Sequence, residues 1–185
     1  RGQSDLSQST RLMTLSEIQA LIRDVPDFPE PGIVFKDITP LLAEPAGYSA
    51  VIDHLAERGR AHKADAILGI ESRGFIFGAA LANELELPLH LVRKHGKLPR
   101  ETVSVEYELE YGVDHLEVHS DAIVRGKRYL IVDDVVATGV TAEASAKLVE
   151  QQGGIVAAFA FVIELSFLPG RDKLSGWPVE SLIRF

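Results

Sequence analysis

The sequence predicts an α/β protein built on a mostly parallel, twisted sheet flanked by helices. Three observations predict it. ADAILGI (64–70), YLIV (129–132) and IVAAFAFVIEL (155–165) are short, nearly continuous apolar runs, as strands covered on both faces are. The first two are each followed by a small polar loop and then by helix-forming residues, the alternation that yields a parallel sheet. TVSVEYELEYG (102–112) instead alternates strictly. Val103, Val105, Tyr107, Leu109 and Tyr111 share one face and Glu106, Glu108 and Glu110 the other, the pattern of a half-exposed antiparallel strand.

The elements follow in order. Residues 1–11 are polar and predict a mobile tail; residues 12–185 predict a single domain. Leu15, Ile18, Leu21 and Ile22 recur at helical spacing and predict a helix over 14–23. The stretch VPDFPEPGIVFKDITPLL carries four prolines up to Pro40, which predict extended and turn conformations without a helix. Helices are expected over 47–60 and 75–87, and a strand over 88–93. Residues 94–101 read as a basic loop. VDHLEVH (113–119) returns as the hairpin partner of 102–112, an excursion from the parallel sheet. A helix from 142 to about 152 ends at Gly153-Gly154, and VESLIRF (179–185) predicts a last strand.

Composition narrows the function. The 185 residues suffice for one domain with a full core. With no cysteine there is no disulfide framework and no thiolate nucleophile or metal site, in keeping with a cytoplasmic protein. A net charge of −8 and the lack of a dense Lys/Arg patch argue against a nucleic-acid partner. No apolar run is long enough to cross a membrane, and the polar N-terminus lacks an apolar signal core.

The chemistry concentrates at two junctions. In YLIVDDVVATGVTA (129–142), Asp133 and Asp134 stand at the carboxyl end of a buried strand, where open α/β sheets bind ligands. Taken alone, such a pair is more often a turn and a helix cap. The loop and helix start that follow offer unpaired backbone amides suited to a phosphate. The carboxylates must then face something else, such as sugar hydroxyls or a cation. No Gly-Lys-Ser/Thr follows, so this is no Walker loop. In GIESRGF (69–75), which taken alone is equally a plain helix N-cap, Ser72 and Gly74 permit a tight loop, and Arg73 adds a guanidinium fork suited to phosphate oxygens. RKHGKLPR (93–100) adds a basic loop, either a solvated face or a clamp for a polyphosphate.

These residues carry a resemblance. YLIVDDVVATGVTA is similar to the phosphoribosyl-pyrophosphate signature of the type I phosphoribosyltransferases. DFPEPGIVFKDITPLL (27–42), GIESRGFIFG (69–78), LVRKHGKLP (91–99), ELEYG (108–112) and VIELSFLPGRDKL (162–174) resemble the adenine-specific branch of that family. The resemblance implies the type I phosphoribosyltransferase fold, with an N-terminal hood over about 12–42 and a flexible β-hairpin loop. It implies Mg²⁺, held mainly by the substrate pyrophosphate and water, and a cytoplasmic homodimer. Adenine and phosphoribosyl pyrophosphate would be the substrates, AMP and pyrophosphate the products.

The resemblance also implies roles. Asp133 and Asp134 hold the ribose hydroxyls, and Ala137, Thr138, Gly139, Val140 and Thr141 cradle the 5′-phosphate. Glu71, Ser72, Arg73 and Gly74 take the pyrophosphate, with a cis peptide in that loop. Arg93, Lys94, Lys97 and Arg100 meet the same group, from this subunit or a neighbouring one. Val34 and Lys36 offer backbone groups to adenine, with Phe35 stacked on it and Leu165 behind. Glu110 and Tyr111 belong to the closing loop, where Glu110 is the candidate proton-transfer group; Arg73 and Tyr111 complete the catalytic set. Val140 departs from the glycine frequent at its position. It is harmless if it lies in the first helical turn, as we expect, and harmful if it needs a positive φ. Lys36 stands where some members have Arg. Two rival expectations are a phosphoribosyl-pyrophosphate-sensing regulator and an enzyme for an oxopurine such as xanthine.

Overall fold

Residues 11–185 are described by a computed structural model of the chain. All but Arg11 of the expected tail lies outside them; the Arg11 guanidinium donates to Glu17 at 2.6 Å. The chain divides into two units, one ending at Ala50 and one running from Val51 to Phe185.

In the first unit, Thr14 and Glu17 form a reciprocal capping box that starts α1 (Leu15–Gln19). The helix is shorter than its apolar spacing suggests, because the chain is already extended at Arg23, approaching Pro26. Strand β1 (Arg23–Pro26) pairs antiparallel with β2 (Val34–Asp37). The extended reading of the proline-rich stretch therefore holds as far as Asp37. Beyond it lies α2 (Thr39–Ala43), where no helix was expected. Pro40 sits in its first turn, where a missing N–H breaks no helical bond. For the same reason α3 (Pro45–Arg60) opens on Pro45 rather than on Gly47.

The second unit holds strands β3 (Ala66–Ile70), β4 (Leu89–Lys94), β5 (Thr102–Glu108), β6 (Val113–His119), β7 (Arg128–Val136), β8 (Ile155–Glu164) and β9 (Val179–Arg184). It also holds α4 (Gly74–Leu85), α5 (Val140–Gln151) and the short α6 (Gly170–Lys173). The strands form one seven-stranded sheet in the order β5-β6-β4-β3-β7-β8-β9. From β4 to β9 every pairing is parallel. The sheet is buried at its centre: all of β3, and β8 beyond Ile155. Each large core side chain, such as Phe77, Phe159 or Ile131, contributes roughly 1.5–3 kcal/mol by leaving water.

Two regions depart from expectation here. The 102–119 hairpin is not an excursion, because β6 pairs antiparallel with β4 and extends the sheet. The alternation within it holds only to Glu108: Val105 is buried, but Leu109 and Tyr111 lie in an exposed turn. Second, β7 does not end before the acidic pair. Its pairing with β3 stops at Gly69↔Val132, while its pairing with β8 runs on to Val136↔Glu164. The sheet thus frays on one side of β7 where the two carboxylates stand.

Candidate active site

The junction after β3 is built on close backbone approach. The Glu71–Ser72 peptide is cis. Gly74 opens α4, and a Cβ there would lie 2.7 Å from the Val132 carbonyl oxygen and 3.0 Å from Asp133 Oδ1. Only glycine lets α4 start so near β7. Arg73, one residue earlier, donates from Nε to Asp134 Oδ2 at 2.5 Å. Burial disfavours the Arg73 charge, but Asp134 more than offsets this and raises its pKa.

The two carboxylates of the acidic pair therefore differ. Asp134 is buried and held by Arg73. Asp133 accepts a hydrogen bond from the Asp134 amide at 2.8 Å. Its pKa is pushed well above the ordinary range, first by burial and then by the Asp134 charge. A cation or a pair of hydroxyl donors would favour its ionised form.

The junction after β7 is neutral by comparison. Ala137, Thr138 and Gly139 turn the chain into α5, whose first residue is Val140. The left-handed residue is Gly139, with φ +80°. Val140 is thus in the first helical turn, as expected. A cavity of about 110 Å³ is lined by residues 135–142 together with Asp133. The N–H groups of the first turn of α5 lack intrahelical acceptors and can serve an anion there.

The basic loop gathers on Glu71. Its carboxylate accepts from the Lys94 amide at 2.8 Å and Arg93 Nη2 at 3.3 Å, with Lys97 Nζ at 3.5 Å. Burial would raise the Glu71 pKa, but these donors lower it below the ordinary value. Arg93 also lies over the Phe75 ring, 5.8 Å from its centroid. Arg100 is placed elsewhere. It pairs with Asp121 at 2.8 and 3.3 Å and lines a separate cavity of about 310 Å³ with His90 and His119.

The hairpin carries Glu110 and Tyr111 at its tip, where Leu109 N donates to Gly112 O at 2.9 Å. Tyr111 is 88% exposed, so the tip is open to solvent on that side. One pair back from the tip, Asp114 accepts from Tyr107 at 3.2 Å and from Lys94 Nζ at 2.9 Å. The Tyr107 pKa is raised, first by burial and then by Asp114. A cavity of about 530 Å³ is lined by residues 106–109 of the hairpin and by Val140, Glu143, Ala144 and Lys147 of α5.

Val34, Phe35 and Lys36 lie on β2 in the first unit. Val34 is exposed, Phe35 meets Phe28 edge-on at 5.2 Å, and Lys36 pairs with Asp24 at 2.6 Å. Leu165, in the second unit, follows β8 and donates its amide to Val136 O at 3.0 Å. Sequence reasoning did not single out Asp114, Gly170 or the pair Glu164 and Arg171. The last three stand within VIELSFLPGRDKL, so the string was visible but the role of each residue was not.

Comparison with known proteins agrees with this architecture. The phosphoribosyl transferase domain model matches residues 37–180. The adenine phosphoribosyltransferase of Caldanaerobacter subterraneus subsp. tengcongensis is 54% identical over 173 residues, 94% of this chain and 100% of that protein. The crystal structure of the adenine phosphoribosyltransferase of Thermoanaerobacter pseudethanolicus superposes with a TM-score of 0.90 at 54% identity, covering 93% of this chain and 100% of that one. The Saccharomyces cerevisiae adenine phosphoribosyltransferase, solved with adenine and an imino-altritol bisphosphate, gives 0.85 at 42% identity over 91% and 97%. Arriving at the same fold from its own strand order and from these matches, the chain belongs to the phosphoribosyl transferase family.

Proposed function

We propose that the protein transfers the phosphoribosyl group of phosphoribosyl pyrophosphate to adenine, forming AMP and releasing pyrophosphate. The observation that carries this reading is the Arg73–Asp134 contact. It brings two strand–loop–helix junctions, 61 positions apart in sequence, within one hydrogen bond of each other at the carboxyl ends of two central strands. One junction is cationic and the other a neutral cradle, as a ligand phosphorylated at two ends requires. The relatives named adenine phosphoribosyltransferase supply the base.

In this reading Ala137 to Thr141 receive the 5′-phosphate, and Asp133 and Asp134 the ribose hydroxyls. Glu71 to Gly74, with Arg93, Lys94 and Lys97, receive the pyrophosphate. Val34, Lys36 and Phe35 of the first unit receive adenine, within a domain that runs from 12 to 185 and has its hood over about 12–42. The bond from the anomeric carbon to the pyrophosphate oxygen breaks as the bond to the purine nitrogen forms. Positive charge grows on the ribose, and the acidic pair on β7 favours it. Negative charge grows on the leaving pyrophosphate, and Arg73 and the basic loop stabilise it. Glu110 accepts the proton that adenine sheds, and closure of the hairpin carrying Tyr111 excludes water.

Mg²⁺ fits this donor set only as a substrate-borne ion. Among the described residues no cluster of three or more His, Asp or Glu could cage a metal. Pyrophosphate oxygens, water and the Asp133 carboxyl are hard oxygen donors of the kind it takes. When bound, it neutralises charge on the leaving group.

We also propose a cytoplasmic homodimer, supported by the family resemblance and, for the compartment, by a cysteine-free chain. A fully active monomer in sedimentation at assay dilution would overturn the dimer. Among the described residues no helix is long and apolar enough to cross a membrane.

The test of function is a product assay with phosphoribosyl pyrophosphate, Mg²⁺ and one of adenine, hypoxanthine, guanine or xanthine. AMP from adenine alone is the expected result. Preference for an oxopurine overturns the base; binding without any product makes the protein a sensor instead.

A further inference from the structure

The loop that receives the 5′-phosphate does not stand alone. Its backbone rests on that of Gly170, the first residue of α6. A Cβ on Gly170 would lie 2.4 Å from the Ala137 carbonyl oxygen, and one on Gly139 would lie 2.9 Å from the Gly170 carbonyl oxygen. Neither position admits a side chain, so any movement of Gly170 is felt directly by Ala137 and Gly139.

Gly170 is placed by its neighbour. Arg171 donates from Nε to Glu164 Oε1 and from Nη2 to Glu164 Oε2, both at 2.7 Å, and from Nη2 to Ser181 Oγ at 2.9 Å. Glu164 is buried at the end of β8, in register with Val136, the last residue of β7 before the loop. Ser181 donates to the same carboxylate from β9. The Glu164 pKa falls to about 2, chiefly through Arg171, so the pair is charged under all ordinary conditions. A bidentate fork between the end of β8 and the start of α6, tied also to Ser181 within β9, leaves little angular freedom.

We propose that Glu164 and Arg171 are positioning residues for phosphoribosyl pyrophosphate: by locking Gly170 they hold the Ala137–Gly139 backbone in the geometry that receives the 5′-phosphate. The inference rests on the function proposed above. The two residues touch no substrate and act through Gly170.

The test compares Arg171→Met, Arg171→Lys and Glu164→Gln with a core control, Phe159→Leu, which lies away from the loop. Kinetics are run with each substrate varied in turn, well below each variant's Tm. KM for phosphoribosyl pyrophosphate should rise about 10- to 100-fold in Arg171→Met, because displaced binding groups lose catalysis steeply. KM for adenine should stay within about twofold, and Phe159→Leu should lower Tm without moving either constant. Arg171→Lys, which keeps the charge but loses the fork, should fall between wild type and Arg171→Met, and it carries the test if the latter does not fold. A lowered Tm with both KM values unchanged, or both raised together, overturns the proposal. If the wild type makes no AMP, calorimetry with ribose 5-phosphate separates the two ideas. Weaker binding to the variants retains the clamp while the reaction falls, whereas equal binding, or none to either protein, overturns the clamp.

Discussion

The two junctions that flank β7 solve one problem in opposite ways. Both turn a buried strand into a helix through a glycine, and both face an anion in the proposed reaction. After β3 the loop works through side chains: Arg73 is braced on Asp134, and Glu71 gathers Arg93, Lys94 and Lys97. After β7 the loop works through backbone, with a small cavity and no charged residue among 135–142. The glycines differ accordingly. Gly74 has ordinary backbone angles and is needed because β7 lies against it, whereas Gly139 is needed for its φ of +80° and for Gly170 beneath it. A leaving pyrophosphate gathers negative charge during the reaction and is suited by full cationic charges. A 5′-phosphate stays bound throughout and is suited by fixed amides.

The largest effects should come from breaking the backbone site. Gly139→Ala places a side chain in a left-handed conformation, costing about 1–2 kcal/mol, and drives its Cβ onto rigid backbone besides. KM for phosphoribosyl pyrophosphate should rise about 100-fold or more. Gly74→Ala meets only the second problem and should push the acidic pair rather than the phosphate loop. Its expected loss is therefore mainly in kcat. Equal kinetic profiles for the two variants would erase the distinction between the junctions.

The charged site should break less severely and in a salt-dependent way. Arg73→Ala removes a donor to the leaving group and leaves Asp134 buried without its guanidinium. Since Arg73 is half-exposed, we expect a stability loss of only about 1–2 kcal/mol, below that for a fully buried pair, but a drop in kcat of about 100-fold. Added salt should weaken pyrophosphate inhibition of the wild type more than that of Arg73→Ala, measured as Ki against ionic strength. Glu110→Gln should lower kcat by about 10- to 100-fold and leave phosphoribosyl-pyrophosphate binding nearly intact, since the exposed hairpin tip carries no part of the phosphate sites. Unchanged turnover would remove Glu110 from the mechanism.

Protonation separates two carboxylates in the same sense. Glu164 falls to about 2 in the fold against 4.5 when unperturbed. Its stabilisation, up to about 3 kcal/mol, is therefore fully present above pH 4.5 and lost as the pH falls towards 2. Asp133 is shifted the other way, so its ionisation opposes folding and its proton is lost at a higher pH than usual. Hydroxyl donors favour the ionised form, so KM for phosphoribosyl pyrophosphate should rise as the pH falls through the Asp133 pKa. Asp133→Asn should flatten that limb of the pH profile. An unaltered limb would assign it to another group.

Much of this was legible in the chain, and the reasons are local. The runs 64–70, 129–132 and 155–165 announce buried strands by composition, and alternation over 102–108 announces a half-exposed one. The two glycine-bearing junctions are legible for the same reason. What escaped depends on partners distant in sequence or on position within an element. Pro40 reads as a helix breaker unless one knows it falls in the first turn. Asp133 and Asp134 read as a strand end because nothing local shows that β8 continues to pair beside them. Nothing local joins Arg73 to Asp134, or Arg171 to Ser181 on β9.

The smallest expected effect tests the backbone site most finely. Val140 departs from the glycine that the resemblance leads one to expect, and it follows the residue with positive φ. If the loop needed conformational freedom at both positions, Val140→Gly would improve phosphate binding. The structure puts Val140 inside α5 with Gly139 as its cap, so freedom is needed only once. Glycine in a helix costs up to about 1 kcal/mol through backbone entropy, less near the end, and valine already adopts helical angles without strain. Val140→Gly should therefore lower Tm slightly and leave KM for phosphoribosyl pyrophosphate within about twofold. A marked fall in that KM would mean that the loop tightens around its ligand by rotating at residue 140, and that the backbone site is less rigid than its partner junction rather than more.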